Sequence, residues 1–115
     1  MIGKASRYWQ WRFIYNNASS NEKLKKRSLY EMIKTANNFN DWKFIYIKSF
    51  DSKLTKLSLY KMAEHAATFK QIVFVYNESD YKSKLQSNFF YRILESAQGA
   101  YQGKIAHNAL KEFLL

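Results

Sequence analysis

Lysine and tyrosine recur at fixed spacing in this chain: Lys23, Lys26, Tyr30 and Lys34, then Lys53, Lys56 and Tyr60, then Lys84 and Tyr91. Residues three, four and seven apart share one side of a helix. A row of ammonium groups beside phenol rings can neutralise phosphates or carboxylates and offers flat surfaces for stacking. The chemistry is that of binding an anionic chain. Lys23, Lys53 and Lys84 also fall where the first turn of a helix is expected, and there a cation opposes the helix dipole at a cost of roughly a few tenths of a kcal/mol. A residue type placed three times where it mildly destabilises points to a role. The competing reading is a solvated face on which tyrosines cover seams and lysines keep the chain soluble.

Arginine is confined to Arg7, Arg12, Arg27 and Arg92. Bidentate reading of guanine edges is therefore not obviously provided, and nucleic-acid binding through the lysines would be largely non-specific. Catalysis finds little material. His65 and His107 lack a partner at metal-ligand spacing, and Glu64, adjacent to His65, points elsewhere on a helix. The carboxylates are scattered among lysines, and neither a glycine-rich phosphate loop nor a serine elbow occurs. With no cysteine in the sequence there is no thiol nucleophile, disulfide or thiolate metal site. The expectation is a chain that is not an enzyme, with no cofactor and no metal.

The elements that must carry the lysines are legible from internal repetition. Trp11, Phe13, Ile14 and Tyr15 recur as Trp42, Phe44, Ile45 and Tyr46 and again as Ile72, Phe74, Val75 and Tyr76. Downstream of each block, Leu24, Ser28, Leu29, Tyr30, Met32 and Ala36 recur as Leu54, Ser58, Leu59, Tyr60, Met62 and Ala66, then as Leu85, Phe89, Phe90, Tyr91, Ile93 and Ala97. A composition bias cannot hold so many positions in register. Phe39, Trp42, Ile45 and Tyr46 lie on one side of a helix over 39–48, helix A of the second repeat. Ser52 is the expected N-cap of its helix B, with Ser20 or Asn21 and Ser83 in the matching places. Small residues at Ala36, Ala66 and Ala97 would let the next helix A approach closely. A strand over Lys70–Tyr76 is the weaker alternative, because the apolar spacing is three and four. Trp9, like Trp11, is expected in the core.

The repeats run over roughly 8–38, 39–68 and 69–99, with a partial one over 100–115 built on Ile105, Ala109, Leu110, Phe113 and Leu114. All four are expected to form a single helical domain over 1–115. Two-helix repeats in tandem resemble the α-solenoid class that includes HEAT, armadillo and tetratricopeptide arrays. The resemblance is one of architecture over residues 8 to about 99. Its repeat of 30 or 31 residues is shorter than theirs and lacks the tetratricopeptide glycine and proline positions. It implies an all-α fold, a right-handed α-solenoid of about three two-helix repeats plus a C-terminal helix, acting as a binding scaffold.

The formal net charge is +10, and residues 1–38 carry +6 of it. Such a field attracts acidic proteins, nucleic acid or acidic membrane surfaces. AT-rich codon usage, which favours lysine and asparagine, accounts for the same totals. Met1–Tyr15 carries three basic residues and no acid, as an organellar presequence would. Yet Tyr8, Trp11 and Tyr15 hold the positions of Phe39, Trp42 and Tyr46, which assigns the segment to the fold. The sequence contains no stretch of about 18 uncharged apolar residues, so no membrane span is expected. The expected function is a non-catalytic module binding an acidic protein segment through the lysine and tyrosine residues, with nucleic acid as the alternative anionic partner. The C-terminal helix either packs inward as a cap or leaves Phe113, Leu114 and Leu115 as an apolar end for self-association, which makes an assembly protein a third reading. A cytoplasmic location is expected, with secretion lacking a cleaved leader left open.

Overall fold

Aromatic blocks and leucine blocks alike fold as helices. The structure, a computed structural model, describes residues 4–114 and holds, among them, seven α-helices and no strand. These are α1 (Lys4–Asn16), α2 (Glu22–Thr35), α3 (Phe39–Lys48), α4 (Ser52–His65), α5 (Phe69–Glu78), α6 (Lys84–Ser96) and α7 (Gly99–Leu114). The strand-prone residues Ile72, Val73 and Val75 lie within α5, because burying Ile72, Val75 and Tyr76 together needs the helical period. The chain divides into two compact halves, residues up to Glu64 and residues from His65 on.

In the first half α1 packs on α2 and α2 on α3. Its core contains Tyr8, Leu29, Met32, Phe39, Trp42, Ile45, Leu54 and Met62, all buried. In the second half α5 packs on α6 and α6 on α7, around Ile72, Val75, Tyr76, Phe89, Phe90 and Ile93. Some positions equivalent in the repeat are equivalent in burial, for Met32, Met62 and Ile93 are each fully enclosed, and so are Ile45 and Val75, whereas Ile14 and Leu59 are only half-buried. Enclosing such a side chain contributes about 1.5–3 kcal/mol. Ser28 and Ser58, also fully buried, donate to the carbonyls of Leu24 and Leu54 at 2.7 Å, so neither hydroxyl is left unpaired.

The turns between helices recur as well. Asp41, half a turn into α3, takes a hydrogen bond on Oδ2 from the Asn37 amide at 3.1 Å, and its own amide donates to the Asn38 side chain at 2.9 Å. Gln71 does the same for α5, accepting from the amides of Ala67 and Thr68 in a reciprocal capping box with Thr68. Gln102 accepts from the Gln98 amide at 2.8 Å ahead of α7. Ala36 and Ala97 end α2 and α6 as C-caps in extended backbone.

Two expectations change, and at Phe113 one of two alternatives is taken. The N-cap of α4 is Asp51, whose Oδ1 accepts from the Leu54 amide at 2.8 Å, while Ser52 is the first helical residue. A carboxylate is a stronger acceptor for the exposed first-turn amides. Asn21 and Ser83 cap α2 and α6 as expected. Trp9 is 58% exposed rather than core, since it lies off the Tyr8 face of α1. Phe113 turns inward and stacks on Phe90 at 4.4 Å between ring centroids, whereas Leu114 is exposed and Leu115 lies outside the described residues.

Candidate functional site

Burial of one face of each helix B fixes what the opposite face presents. On α2, Ser28, Leu29 and Met32 point inward, which leaves Lys23, Lys26, Tyr30 and Lys34 exposed. On α4, Leu54, Ser58 and Met62 point inward, and Lys53, Lys56 and Tyr60 are exposed. In the second half α6 presents Lys84 and Tyr91, both exposed, opposite Phe89, Phe90 and Ile93.

Ion pairing separates the basic residues into two groups. Lys25 pairs with Glu22, Arg27 and Lys34 with Glu31, and Lys61 with Glu64, all along single helices. Lys23, Lys26, Lys53, Lys56 and Lys84 have no carboxylate partner among the described residues. Of the recurring lysines only Lys34 is drawn into an internal pair, at 3.2 Å from Glu31. The structure brings Lys26 and Tyr30 together around Phe50, from the turn before α4. The Lys26 ammonium lies 5.4 Å from the Phe50 ring centre, and Tyr30 meets that ring edge-on at 5.5 Å. The aromatic contact holds the tyrosine in place and leaves more than half of it in solvent.

Three of the four arginines are occupied, and Arg7 is exposed. Arg12 lies 4.3 Å from the centre of Phe44 and 4.8 Å from that of Trp9. Arg27 bonds Glu31, and in the second half Arg92 donates to the Ala66 carbonyl at 2.9 Å while covering Phe89. Anion recognition on α2, α4 and α6 therefore falls to lysines, which act as point charges without the planar two-bond fork.

A second feature is the joint between successive helices A. In the first half, Phe44 of α3 lies between Arg12 and Tyr15 of α1, with Tyr15 edge-on at 5.7 Å. In the second half the equivalent positions are Val73 and Tyr76 of α5 and Ile105 of α7. With valine in place of Arg12 and isoleucine in place of Phe44, a cleft of about 260 Å³ is left, floored by Ile93 and rimmed by Asn77, Asn108 and Glu112. Burial, with Glu112 and Tyr81 nearby, pushes the Tyr76 phenol above its usual value. Among the described residues no three of His, Asp and Glu gather to hold a metal, and His65 and His107 are both exposed.

Sequence reasoning missed the Trp9, Arg12, Phe44 and Tyr15 cluster and the role of Phe50. The signal for the first was present, since Arg12 precedes Tyr15 by three residues; Phe50 lies in a turn, where periodicity carries no information. No helix among the described residues is long and apolar enough to cross a membrane. No protein-family model matches the chain, and neither the curated proteins nor the solved structures include a match to it.

Proposed function

We propose that this chain is a non-catalytic interaction module, a tandem array of two-helix repeats of the α-solenoid kind, that binds an acidic segment of a partner protein. The observation that supports this reading is that each helix B presents an exposed tyrosine together with one or more exposed lysines that have no carboxylate partner among the described residues. Among the described residues the lysines that recur beside Tyr30, Tyr60 and Tyr91 have, except for Lys34, no carboxylate partner, as is also true of Lys48, Lys70, Lys82, Lys104 and Lys111, while neighbouring Lys25 and Lys61 are paired. An extended acidic peptide would set its carboxylates on Lys23, Lys26, Lys53 and Lys56, and its apolar or aromatic side chains on Tyr30 and Tyr60. Lys84 and Tyr91 offer the same chemistry on α6. The setting we take for it is the cytoplasm, where a chain without cysteine loses nothing to reduction.

Nucleic acid is the second reading, supported by the three exposed tyrosines, each with the π-face that bases stack on. Fluorescence anisotropy separates the two. A labelled acidic peptide and labelled single-stranded DNA are titrated at about 50 and 200 mM salt, where counterion release weakens phosphate contacts most steeply. The peptide is expected to bind at both salt concentrations and more tightly than DNA at the higher one. DNA binding that exceeds the peptide at the higher salt transfers the reading to nucleic acid; binding of neither removes both.

A further inference from the structure

The joint between helices A has a donor side and an acceptor side, and among the described residues α1 carries an exposed donor and α7 an exposed acceptor row. In the first half the acceptor side is on α1: Arg12 and Tyr15 receive the Phe44 ring of α3, and Trp9, three residues before Arg12, lies against the same guanidinium. The position of Phe44 in the repeat is held on α1 by Phe13. Nothing among the described residues covers it, and it is 69% exposed. It follows Arg12 directly and so stands about 100° around α1 from the centre of the acceptor row. The acceptor positions recur on α7 as Tyr101, Lys104 and His107, again at steps of three, and all three are exposed, Tyr101 to 78%. Aromatic, cation and ring are thus repeated in order, with no ring inserted.

We propose that α7 of one copy of this chain receives α1 of a second copy, with Phe13 entering between Lys104 and His107 as Phe44 enters between Arg12 and Tyr15. The occupant follows from the chain's own joint, because Phe13 and the triplet on α7 are the two complementary sides of a contact the protein already makes once. Such a contact is heterologous: the two surfaces differ, so a pair of copies retains one free donor and one free acceptor and the association does not stop at two by symmetry. A face one helix wide lies at the small end of stable interfaces, so assembly is expected at about 0.1–1 mM protein. Net charge opposes it, and added salt strengthens it by screening that repulsion. Binding of an acidic partner by the lysines has the opposite salt dependence, which keeps the two proposals separable.

The test is sedimentation of the full chain from about 10 µM to 1 mM at about 50 and 300 mM salt, a range across which the screening length shortens. Wild type is expected to gain mass with concentration, beyond a dimer, and more at the higher salt. Phe13→Ser and the double variant Tyr101→Ser, His107→Ser each remove one side at exposed positions, and each alone should remain monomeric with unchanged helicity. Mixed in equal amounts, they should form a dimer and no larger species, because each brings the side the other lacks. A wild type that stays monomeric throughout, variants that still self-associate, or a mixture that fails to pair would each overturn the proposal.

Discussion

The Tyr8 hydroxyl donates to the main-chain carbonyl of Asp41 at 3.1 Å, tying α1 to the start of α3 across 33 residues. Tyr8 is fully buried, and Asp41 is the residue whose side chain closes the turn entering α3. A contact between two helices A is thus fastened to the local cap of one of them. Burial, and then the Asp41 charge, push the Tyr8 phenol from 10.0 up to about 12, with Arg12 acting in the opposite direction.

The sign follows from the neutral phenol being the form the fold prefers. Its contribution to stability is complete below pH 10 and is lost as the pH rises through about 12. Tyr8→Phe should cost about 1 kcal/mol at neutral pH, the net worth of one hydrogen bond. It should also lessen the alkaline fall between those values relative to wild type. Urea unfolding of both chains at several alkaline pH values measures this, and parallel pH profiles would show that Tyr8 is not the titrating group.

Gln71 closes the turn before α5 with three hydrogen bonds shared with Ala67 and Thr68. Gln71→Ala leaves two amides at the helix start without their acceptor and should destabilise by about 1 kcal/mol, as loss of a helix cap does. Gln71→Glu keeps the acceptor and adds a favourable charge at the helix start, so it should retain most of the stability. Thermal unfolding of the pair distinguishes a cap from mere packing, since both substitutions alter the side chain but only alanine removes the oxygen.

Much of this was legible in the residues. Apolar spacing placed α3 at its observed bounds, and the equivalence of Met32, Met62 and Ile93 follows from the repeat alone. The triplet Thr68, two residues, Gln71 is a recognisable capping box, although its counterparts use Asp41 and Gln102 and so conceal the recurrence. Which lysines stand unpaired was not legible. Glu31 lies within helical reach of both Arg27 and Lys34, and the sequence does not show that it engages both. Trp9 departs from expectation because tryptophan is usually enclosed, and only the cation above it reveals what the exposed ring does.

Unpaired and paired lysines should differ in binding. Replacing Lys23, Lys26, Lys53 and Lys56 by Gln should weaken an acidic peptide by more than about tenfold and flatten its dependence on salt. Replacing Lys25, Lys34 and Lys61, whose charges already face Glu22, Glu31 and Glu64, should change either quantity far less. Anisotropy across a salt series reads both, and equal losses in the two sets would mean that total charge, not position, attracts the partner.

The cleft of the second half offers a direct comparison with the filled joint of the first. Phe44 fills its joint beneath Arg12, whereas Ile105 and Val73 leave about 260 Å³ open. Ile105→Phe should bury further apolar surface there and stabilise by about 1 kcal/mol, taking roughly 40 Å² at 25 cal/mol per Å². Adding Val73→Arg should place a guanidinium over the new ring and contribute roughly 0.5–1 kcal/mol more, but only when the ring is present. The coupling is the informative quantity, because Val73→Arg alone would set a cation over an aliphatic side chain and gain little. Urea unfolding of the four chains of this cycle measures it. A positive coupling would mean that the two joints are built alike and differ only in filling; strictly additive effects, or destabilisation by phenylalanine alone, would mean that α5 and α7 meet at a different angle from α1 and α3.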